Sequence, residues 1–202
     1  MIICIGREFG SGGHEIGQLL SQQFGLEFYD QKLVDEAISK ISYEDEDIER
    51  LKKADERKEN PFWYRASYAS ADPGKRGISE HDVMFMLEME VILEAARKDQ
   101  CLFVGRCADH ILHEAGIPRY SIFVTAPFED RVKRKMELLQ LEEKATVSLV
   151  RKEDKARKAY YDYHTGGSWG RPSTYDLCIN SSKAGIEGTV HALSKLCEGS
   201  GR

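Results

Sequence analysis

The sequence predicts an α/β fold, a three-layer sandwich in which helices cover both faces of a five-stranded parallel sheet. Short apolar segments of strand length alternate with longer segments whose apolar residues recur at helical spacing. Of the short segments, Cys101–Val104 is apolar throughout and 120–124 is largely apolar, which is typical of strands buried on both faces of a parallel sheet. A glycine-rich loop between the first strand and the first helix completes the pattern of a phosphate-binding α/β domain.

The first strand, residues 1–5, leads through this loop into a helix that carries Ile16, Leu20 and Phe24 on one face. Glycines in the loop can take positive φ and point several backbone N–H groups into one concavity. The first turn of the helix adds unpaired N–H groups and the positive end of its dipole. The sequence therefore predicts a phosphate site formed by Gly10, Ser11, Gly12, Gly13 and His14.

The loop lacks two residues of a standard P-loop, which reads G-x-x-x-x-G-K-[ST]. With Gly12 as the last glycine, Gly13 stands at the lysine position and His14 at the hydroxyl position. The backbone can still hold phosphate, but the point charge must come from elsewhere. Arg7 is the nearest candidate for that charge.

Two alternatives for the loop stay open. Gly10 and Gly12 also begin a dinucleotide fingerprint, G-x-G-x-x-G, and Asp30 stands about 20 residues further on, where that fold needs an acid. Glu15 replaces its third glycine, however. The glycines can also form a simple mobile turn. The order of strand, loop and helix favours the phosphate site.

The rest of the chain continues the alternation of strand and helix. A short strand at 26–29 precedes helix 31–41, a charged helical segment at 43–60 and an irregular aromatic segment at 61–77. Ser79 is the expected N-cap of the next helix, and Pro127 the expected start of a later one. The remaining predicted elements are the strands Cys101–Val104, 120–124 and 176–179, and the helices 107–115, 142–163 and 186–197.

The length and composition indicate one domain that is large enough to bury a hydrophobic core. The chain has 202 residues, of which 41% are hydrophobic, and a formal charge of −5, which argues against broad nucleic-acid binding. No apolar run approaches the roughly 18 residues of a membrane helix, and no leader sequence is evident. The five cysteines are odd in number and three lie in apolar strands. We therefore expect a cytoplasmic protein with reduced thiols and no membrane partner.

Several basic residues follow the predicted strands. Arg106 comes after the third strand, Arg131 lies in the helix after the fourth, and Arg151, Lys155 and Lys158 share one face of the long helix beyond it. Because ligands bind at the carboxyl ends of parallel strands, these cations should face phosphate groups. The basic helix and the glycines at 166, 167 and 170 predict a mobile lid over residues 143–172.

The chain resembles the cytidylate kinase-like family, whose better-known relatives are bacterial cytidylate kinases. The resemblance covers nearly the whole chain and lies in segments 6–13, 28–30, 104–106, 122–124, 154–157 and 175–182. It implies a P-loop nucleotide kinase-like fold that uses ATP and Mg²⁺ and small nucleotide substrates. It also implies that the single domain, 1–202, carries an acceptor-side insertion at 43–80 as well as the lid.

The resemblance further implies roles for individual residues. Asp30 and Arg106 would face the monophosphate that accepts the phosphoryl group. The arginines around the transferring group would be Arg7, Arg106, Arg131, Arg151 and Arg157. No metal ligand is assigned.

We therefore expect ATP-dependent phosphoryl transfer to a small acceptor, of which a nucleoside monophosphate such as CMP is the example that the resemblance offers. The first alternative is a regulatory protein that binds nucleotide without catalysis, since the P-loop lysine is missing. The second is a dinucleotide-binding protein. Neither the oligomeric state nor the base preference follows from the sequence.

Overall fold

The computed structural model describes residues 1–38 and 80–199, and their architecture confirms the predicted fold. Five parallel strands form one sheet with the order β2-β3-β1-β4-β5. The strands are β1 (Ile2–Arg7), β2 (Glu27–Tyr29), β3 (Cys101–Val104), β4 (Tyr120–Thr125) and β5 (Leu177–Asn180). The central strand is β1, so the loop that follows it leaves the middle of the sheet edge.

Helices cover both faces of this sheet. They are α1 (Gly13–Phe24), α2 (Gln31–Ile38), α3 (Glu80–Ala96), α4 (Ala108–Glu114), α5 (Phe128–Leu139), α6 (Glu143–Thr165) and α7 (Ser181–Gly199). Alternate residues of β1 face the two layers, as the period of a strand requires. Ile3 and Ile5 pack with α1 and α7, whereas Ile2 and Cys4 pack with α3, α4 and the buried Tyr161 of α6.

The carboxyl ends of β1 and β3 lie side by side. Ile5 pairs with Val104 in the parallel ladder, and the N–H of Gly105 donates to the carbonyl of Ile5 over 3.0 Å. On the other side of β1, Arg7 pairs with Val124 of β4. The glycine loop and the turn after β3 are therefore neighbours at one edge of the sheet, where the prediction placed them.

Most predicted boundaries agree with the structure to within a few residues, and two differ for local reasons. Pro127 is the N-cap of α5, not its first residue, because the helix begins at Phe128. The closing helix starts at Ser181, not at residue 186, but Gly185 interrupts it with φ 67°. The part beyond this break matches the predicted helix.

Several predictions concern residues outside the described ranges. These are the end of helix 31–41, the charged helix 43–60, the aromatic segment 61–77, the Ser79 cap and the insertion at 43–80.

Candidate active site

The glycine loop has a conformation that side chains would not permit. Gly10 and Gly12 have φ of 87° and 80°, in the left-handed region that favours glycine. A Cβ on Gly10 would lie 2.8 Å from the carbonyl oxygen of Arg131, and one on Gly12 would collide with Cδ1 of Ile186. The glycines at these two positions are therefore required both by the backbone angle and by the close packing.

The start of α1 leaves backbone donors available. The first bond into the helix runs from the N–H of Ile16 to the carbonyl of Gly12, over 2.9 Å. In the described part of the chain, no group accepts a hydrogen bond from the N–H of Gly12, Gly13 or His14. Three such donors at the positive end of a helix, here called the amide cradle, are suited to an anion, which is the ligand that the loop sequence predicts.

Arg131 supports the loop from behind. The side chain is buried, and its Nη1 donates to the carbonyl oxygen of Phe9 over 3.1 Å. Its Nε donates to the carbonyl oxygen of Ala126 over 3.0 Å and lies 3.5 Å from Oε2 of Glu8. Nη1 also forms an ion pair with Oδ2 of Asp154 at 2.5 Å. All these contacts hold protein groups in place, so Arg131 positions the loop.

Two acidic residues complete this support. Oδ1 of Asp154, on α6, accepts a hydrogen bond from the N–H of Phe9 over 2.8 Å. Oε2 of Glu8 accepts from the N–H of Ala126 over 3.1 Å and from the hydroxyl of Thr125 over 2.5 Å. The loop is thus bonded both to the end of β4 and to the long helix α6.

The side chain of Arg7 packs against two glycines, Gly13 and Gly105. Its Cβ lies 2.5 Å from the place of a Cβ on Gly13, and its Nη1 would collide with a Cβ on Gly105. Among the described residues, no carboxylate lies within ion-pair distance of the Arg7 guanidinium. Burial, with the nearby charges of Arg157 and Arg106, lowers the pKa of Arg7 to about 9. The group is still charged at pH 7 and is held where an anion would stabilise it.

The other two arginines of the site carry ion pairs. Nη1 of Arg106 lies 3.0 Å from Oε1 of Glu88, which is fully buried, and Nη2 lies 3.4 Å from Oδ1 of Asp35. Nη2 of Arg157 lies 3.4 Å from Oε2 of Glu153. Burial lowers the pKa of Arg157 as well.

Arg7, Arg106 and Arg157 line one cleft of about 300 Å³, here called the arginine cleft. Its walls include aromatic side chains from α6 and the segment that follows it, Tyr160, Tyr161, Trp169 and Tyr175. Two of the five predicted arginines lie elsewhere. Arg131 is behind the loop, and the exposed Arg151 stacks on the ring of Phe128, with Cζ 5.3 Å from the ring centroid.

A second cleft, here called the histidine cleft, adjoins the first and shares Arg7, Gln31 and Asp35 with it. Nε2 of His14 lies 2.9 Å from Oδ2 of Asp30, and Oδ1 of Asp30 accepts from the N–H of Leu33 over 3.1 Å. Burial opposes ionisation of Asp30, but these hydrogen bonds outweigh it and lower the pKa. The remaining residues of this cleft are Lys32 and Glu36.

Sequence reasoning missed the residues that support the cations. Glu8, Glu88 and Asp154 each neutralise an arginine of the site or its loop. Glu8 lies inside the glycine motif and Asp154 inside the motif at 154–157, but neither motif indicates the arginine partner of its acid. Glu88 lies in the predicted helix that became α3, and no pattern in the sequence relates it to Arg106.

Two further observations concern metal clusters and membrane-spanning helices. No group of three or more His, Cys, Asp or Glu side chains within 1–38 and 80–199 could hold a metal ion. Over the same residues, no helix combines the length and the hydropathy needed to cross a membrane.

Comparison with known proteins agrees with this architecture. The statistical model of the cytidylate kinase-like family matches residues 2–183. The chain belongs to the cytidylate kinase-like family. No curated protein matches this family member significantly.

Solved structures show the same fold. A structure of an uncharacterized protein from Eubacterium ventriosum has a TM-score of 0.72 and 26% identity, with 98% of both chains covered. Shikimate kinase from Bacteroides thetaiotaomicron has a TM-score of 0.52 and 14% identity, again over 98% of both chains. The tunicamycin resistance protein from Deinococcus radiodurans has a TM-score of 0.51 and 12% identity, over 98% of this chain and 95% of that one. This family member therefore has a P-loop kinase-like fold, and family and fold together support a phosphotransferase.

Proposed function

We propose that the protein transfers the γ-phosphoryl group of ATP to a small acceptor. Nucleoside monophosphates such as CMP are the acceptors that the family implies, and they are the first to test. The observation that carries the proposal is the place of Arg7. Its Cβ packs beside Gly13 of the loop, its guanidinium lies beside Gly105 and lines the arginine cleft, and no described carboxylate is within ion-pair distance of it.

The residues present fit the phosphates of ATP. The unpaired N–H groups of Gly12, Gly13 and His14 are suited to phosphate oxygens at the helix N-terminus. Arg7 supplies the positive charge that a P-loop lysine supplies elsewhere. A guanidinium can form two parallel hydrogen bonds with a phosphate, which a lysine cannot.

Mg²⁺ bound with ATP would neutralise part of the phosphate charge. At nucleotide sites, Mg²⁺ is usually held by phosphate oxygens, water and one or two carboxylates.

The protein groups contribute to transfer mainly through position and charge, as is general for phosphoryl transfer. The Arg7 side chain packs closely against Gly13 and Gly105, and a cation already in place needs little reorganisation as charge develops on the transferring group. Arg157 and Arg106 line the next part of the cleft, where they can orient an acceptor. Because the site is partly buried, each of these charges acts more strongly than it would in water.

A nucleotide-binding regulatory protein is the second candidate, and the residues Gly13 and His14 favour it, since both depart from a standard P-loop. We do not carry the dinucleotide alternative forward. The cytidylate kinase-like family and the P-loop kinase-like fold favour a phosphotransferase over it.

The test combines binding and turnover. ATP should stabilise the protein in a thermal-shift assay, and Gly12→Val should abolish that shift because a side chain at this position collides with Ile186. Gly116→Val is the matched control, since Gly116 also has a positive φ, 67°, but open space around it. In a coupled assay, an acceptor panel that includes CMP should release ADP. Stabilisation by ATP without turnover on any acceptor would favour the regulatory protein.

A further inference from the structure

The buried carboxylate of Glu88 connects Arg106 of the arginine cleft to the long helix α6. Oε1 of Glu88 lies 3.0 Å from Nη1 of Arg106, and Oε2 accepts a hydrogen bond from the hydroxyl of Tyr160. We propose that Glu88 and Tyr160 are positioning residues, which hold the Arg106 guanidinium in the orientation that receives the anionic group of the acceptor. This inference rests on the proposed phosphotransferase function and adds two residues to its acceptor site.

The turn after β3 holds the backbone of Arg106 in an uncommon conformation. Gly105, Arg106 and Cys107 have φ of 81°, 57° and 55°, so three consecutive residues lie in the left-handed region. For a residue with a side chain this conformation costs about 1–3 kcal/mol, and it persists only where the surrounding structure determines it. Residues of this kind cluster at active sites and ligand-binding segments. The backbone strain therefore indicates that the position of Arg106 matters to the site.

Three elements fix the guanidinium itself. Besides the bond to Glu88 of α3, Nη2 of Arg106 lies 3.4 Å from Oδ1 of Asp35 on α2. Cζ of Arg106 lies over the Tyr160 ring of α6, 5.5 Å from the ring centroid. The Arg106 side chain is 9% exposed and that of Glu88 is 0% exposed. Because a guanidinium is planar and presents its donors as a fixed fork, these contacts set the direction in which it faces the cleft.

Stability alone does not explain a buried ion pair of this kind. Removing two charges from water costs several kcal/mol per ion, and their mutual attraction often only offsets that cost. Apolar residues of similar volume often stabilise such a contact at least as well. An arginine that binds an anion, however, needs both its charge and a fixed direction. Burial, with the charge of Glu88, raises the pKa of Tyr160, so its hydroxyl stays protonated and donates to Glu88.

Tyr160 brings the predicted lid helix into this network. The rings of Phe85 on α3 and His164 on α6 are stacked with centroids 4.0 Å apart, and the Tyr160 ring packs against His164 with centroids 4.6 Å apart. Helix α6 therefore contacts α3 through aromatic rings, and the Tyr160 hydroxyl adds one directed bond. On the same helix, Asp154 binds the glycine loop. One helix thus supports both the nucleotide loop and the arginine of the acceptor side.

The experiment measures the affinities of the full chain for CMP, for its uncharged counterpart cytidine and for ATP by calorimetry. Tyr160→Phe removes the hydroxyl and keeps the ring, so CMP affinity should fall about 10-fold, the order of a single hydrogen bond. Affinities for cytidine and ATP should change much less, because neither presents a phosphate group to Arg106. Glu88→Gln should act in the same direction, since it removes the charge that faces the guanidinium.

Tyr29→Phe is the matched control. The Tyr29 hydroxyl also donates to a glutamate, Oε2 of Glu27, over 2.6 Å, but Tyr29 lies outside both clefts. Its removal should leave CMP affinity unchanged. Denaturant unfolding of each variant shows whether it folds, and Tyr160→Phe tests the proposal even if Glu88→Gln does not fold.

A double-variant comparison separates positioning from a structural role. Arg106→Lys keeps the charge but not the fork of donors, so it should lower CMP affinity by itself. In the Arg106→Lys background, Tyr160→Phe should cause no further loss, because the hydroxyl acts through Arg106. A purely structural role would give the same loss in both backgrounds.

Three results would overturn the positioning role and leave the phosphotransferase standing. These are folded Tyr160→Phe and Glu88→Gln variants with wild-type CMP affinity, an equal loss of affinity for CMP and cytidine, and an equal effect of Tyr160→Phe with and without Arg106. A wild-type protein that binds ATP but neither binds nor phosphorylates CMP or any other acceptor of the panel would overturn both.

Discussion

The side chain of Arg7 occupies the space that a side chain on Gly13 would need, since the Arg7 Cβ lies 2.5 Å from the place of a Cβ at position 13. A lysine at position 13 and an arginine at position 7 therefore exclude each other. We propose that Arg7, at the end of β1, takes the place of the loop lysine. Under this proposal, the close packing of Arg7 accounts for glycine at position 13.

The mutual exclusion of these two side chains predicts a double-mutant result. Gly13→Lys alone should lower ATP affinity and turnover, because the new side chain displaces Arg7. Arg7→Gly alone should lower turnover, because the charge is lost. The double variant Arg7→Gly/Gly13→Lys should be more active than either single variant, which a cycle of kcat/KM values will show. If the loss of kcat/KM in the double variant equals the two single losses combined, the lysine does not replace the arginine.

A second prediction concerns Arg131, which is buried and bonded to the loop and α6. Arg131→Met should lower the free energy of unfolding by about 3–5 kcal/mol, because Asp154 and Glu8 would be left partly buried without their cation. Arg134→Met is the control, since the exposed pair of Arg134 with Glu15 should contribute less than about 1 kcal/mol. Denaturant unfolding of both variants measures the difference. Equal losses would mean that Arg131 does not support the loop.

Much of this site could be predicted because it depends on local pattern. The apolar strand Cys101–Val104 was predicted to the residue, since a central parallel strand is apolar throughout. The spacing of Gly10 and Gly12 predicted a loop with positive φ at these residues, because backbone angles depend mainly on residue type there. That Arg7 is the replacement cation stays a prediction, which its position beside the loop suggests.

The partners of the arginines could not be predicted, since they are tertiary contacts. Arg131 follows β4 in the sequence, which gives its element but not the direction of its side chain. The structure turns it towards Asp154 on α6 and away from the cleft. Gly105 provides room for Arg7 only because β1 and β3 are neighbours in the sheet.

A third prediction concerns pH. The pKa of Arg7 is about 9 in the folded protein, below its ordinary value of 12.5, so the charged form costs stability and that cost is relieved as pH rises above about 9. Bound ATP should reverse this shift, because phosphate favours the charged guanidinium. ATP binding near pH 9 should therefore take up a proton, and affinity should fall at higher pH.

Calorimetry in buffers of different ionisation enthalpy measures this uptake. Burial also lowers the pKa of Lys135, so the comparison is made in a Lys135→Met background. Arg7→Ala in that background should show neither the proton uptake nor the loss of affinity. Proton uptake that persists in Arg7→Ala would show that another group is responsible.

A fourth prediction concerns the proposed lid, residues 143–172. Asp154 of α6 is bonded to the loop through the N–H of Phe9, so nucleotide on the loop should restrain the helix. We expect amide hydrogen exchange in 143–172 to be faster than in the strands without ligand and slower with ATP. Asp154→Asn should weaken the effect of ATP. If amide hydrogen exchange in this segment is slow without ATP and ATP does not change it, the segment is a static part of the fold and not a lid.

The central claim is that Arg7 provides the charge of the absent P-loop lysine, and turnover of Arg7→Ala tests it most directly. A single arginine at the transferring group can contribute roughly 10³–10⁵ in rate. We predict that Arg7→Ala lowers kcat by orders of magnitude with whichever acceptor supports turnover, while ATP affinity changes much less because the backbone cradle remains. An Arg7→Ala enzyme with wild-type kcat would contradict the account.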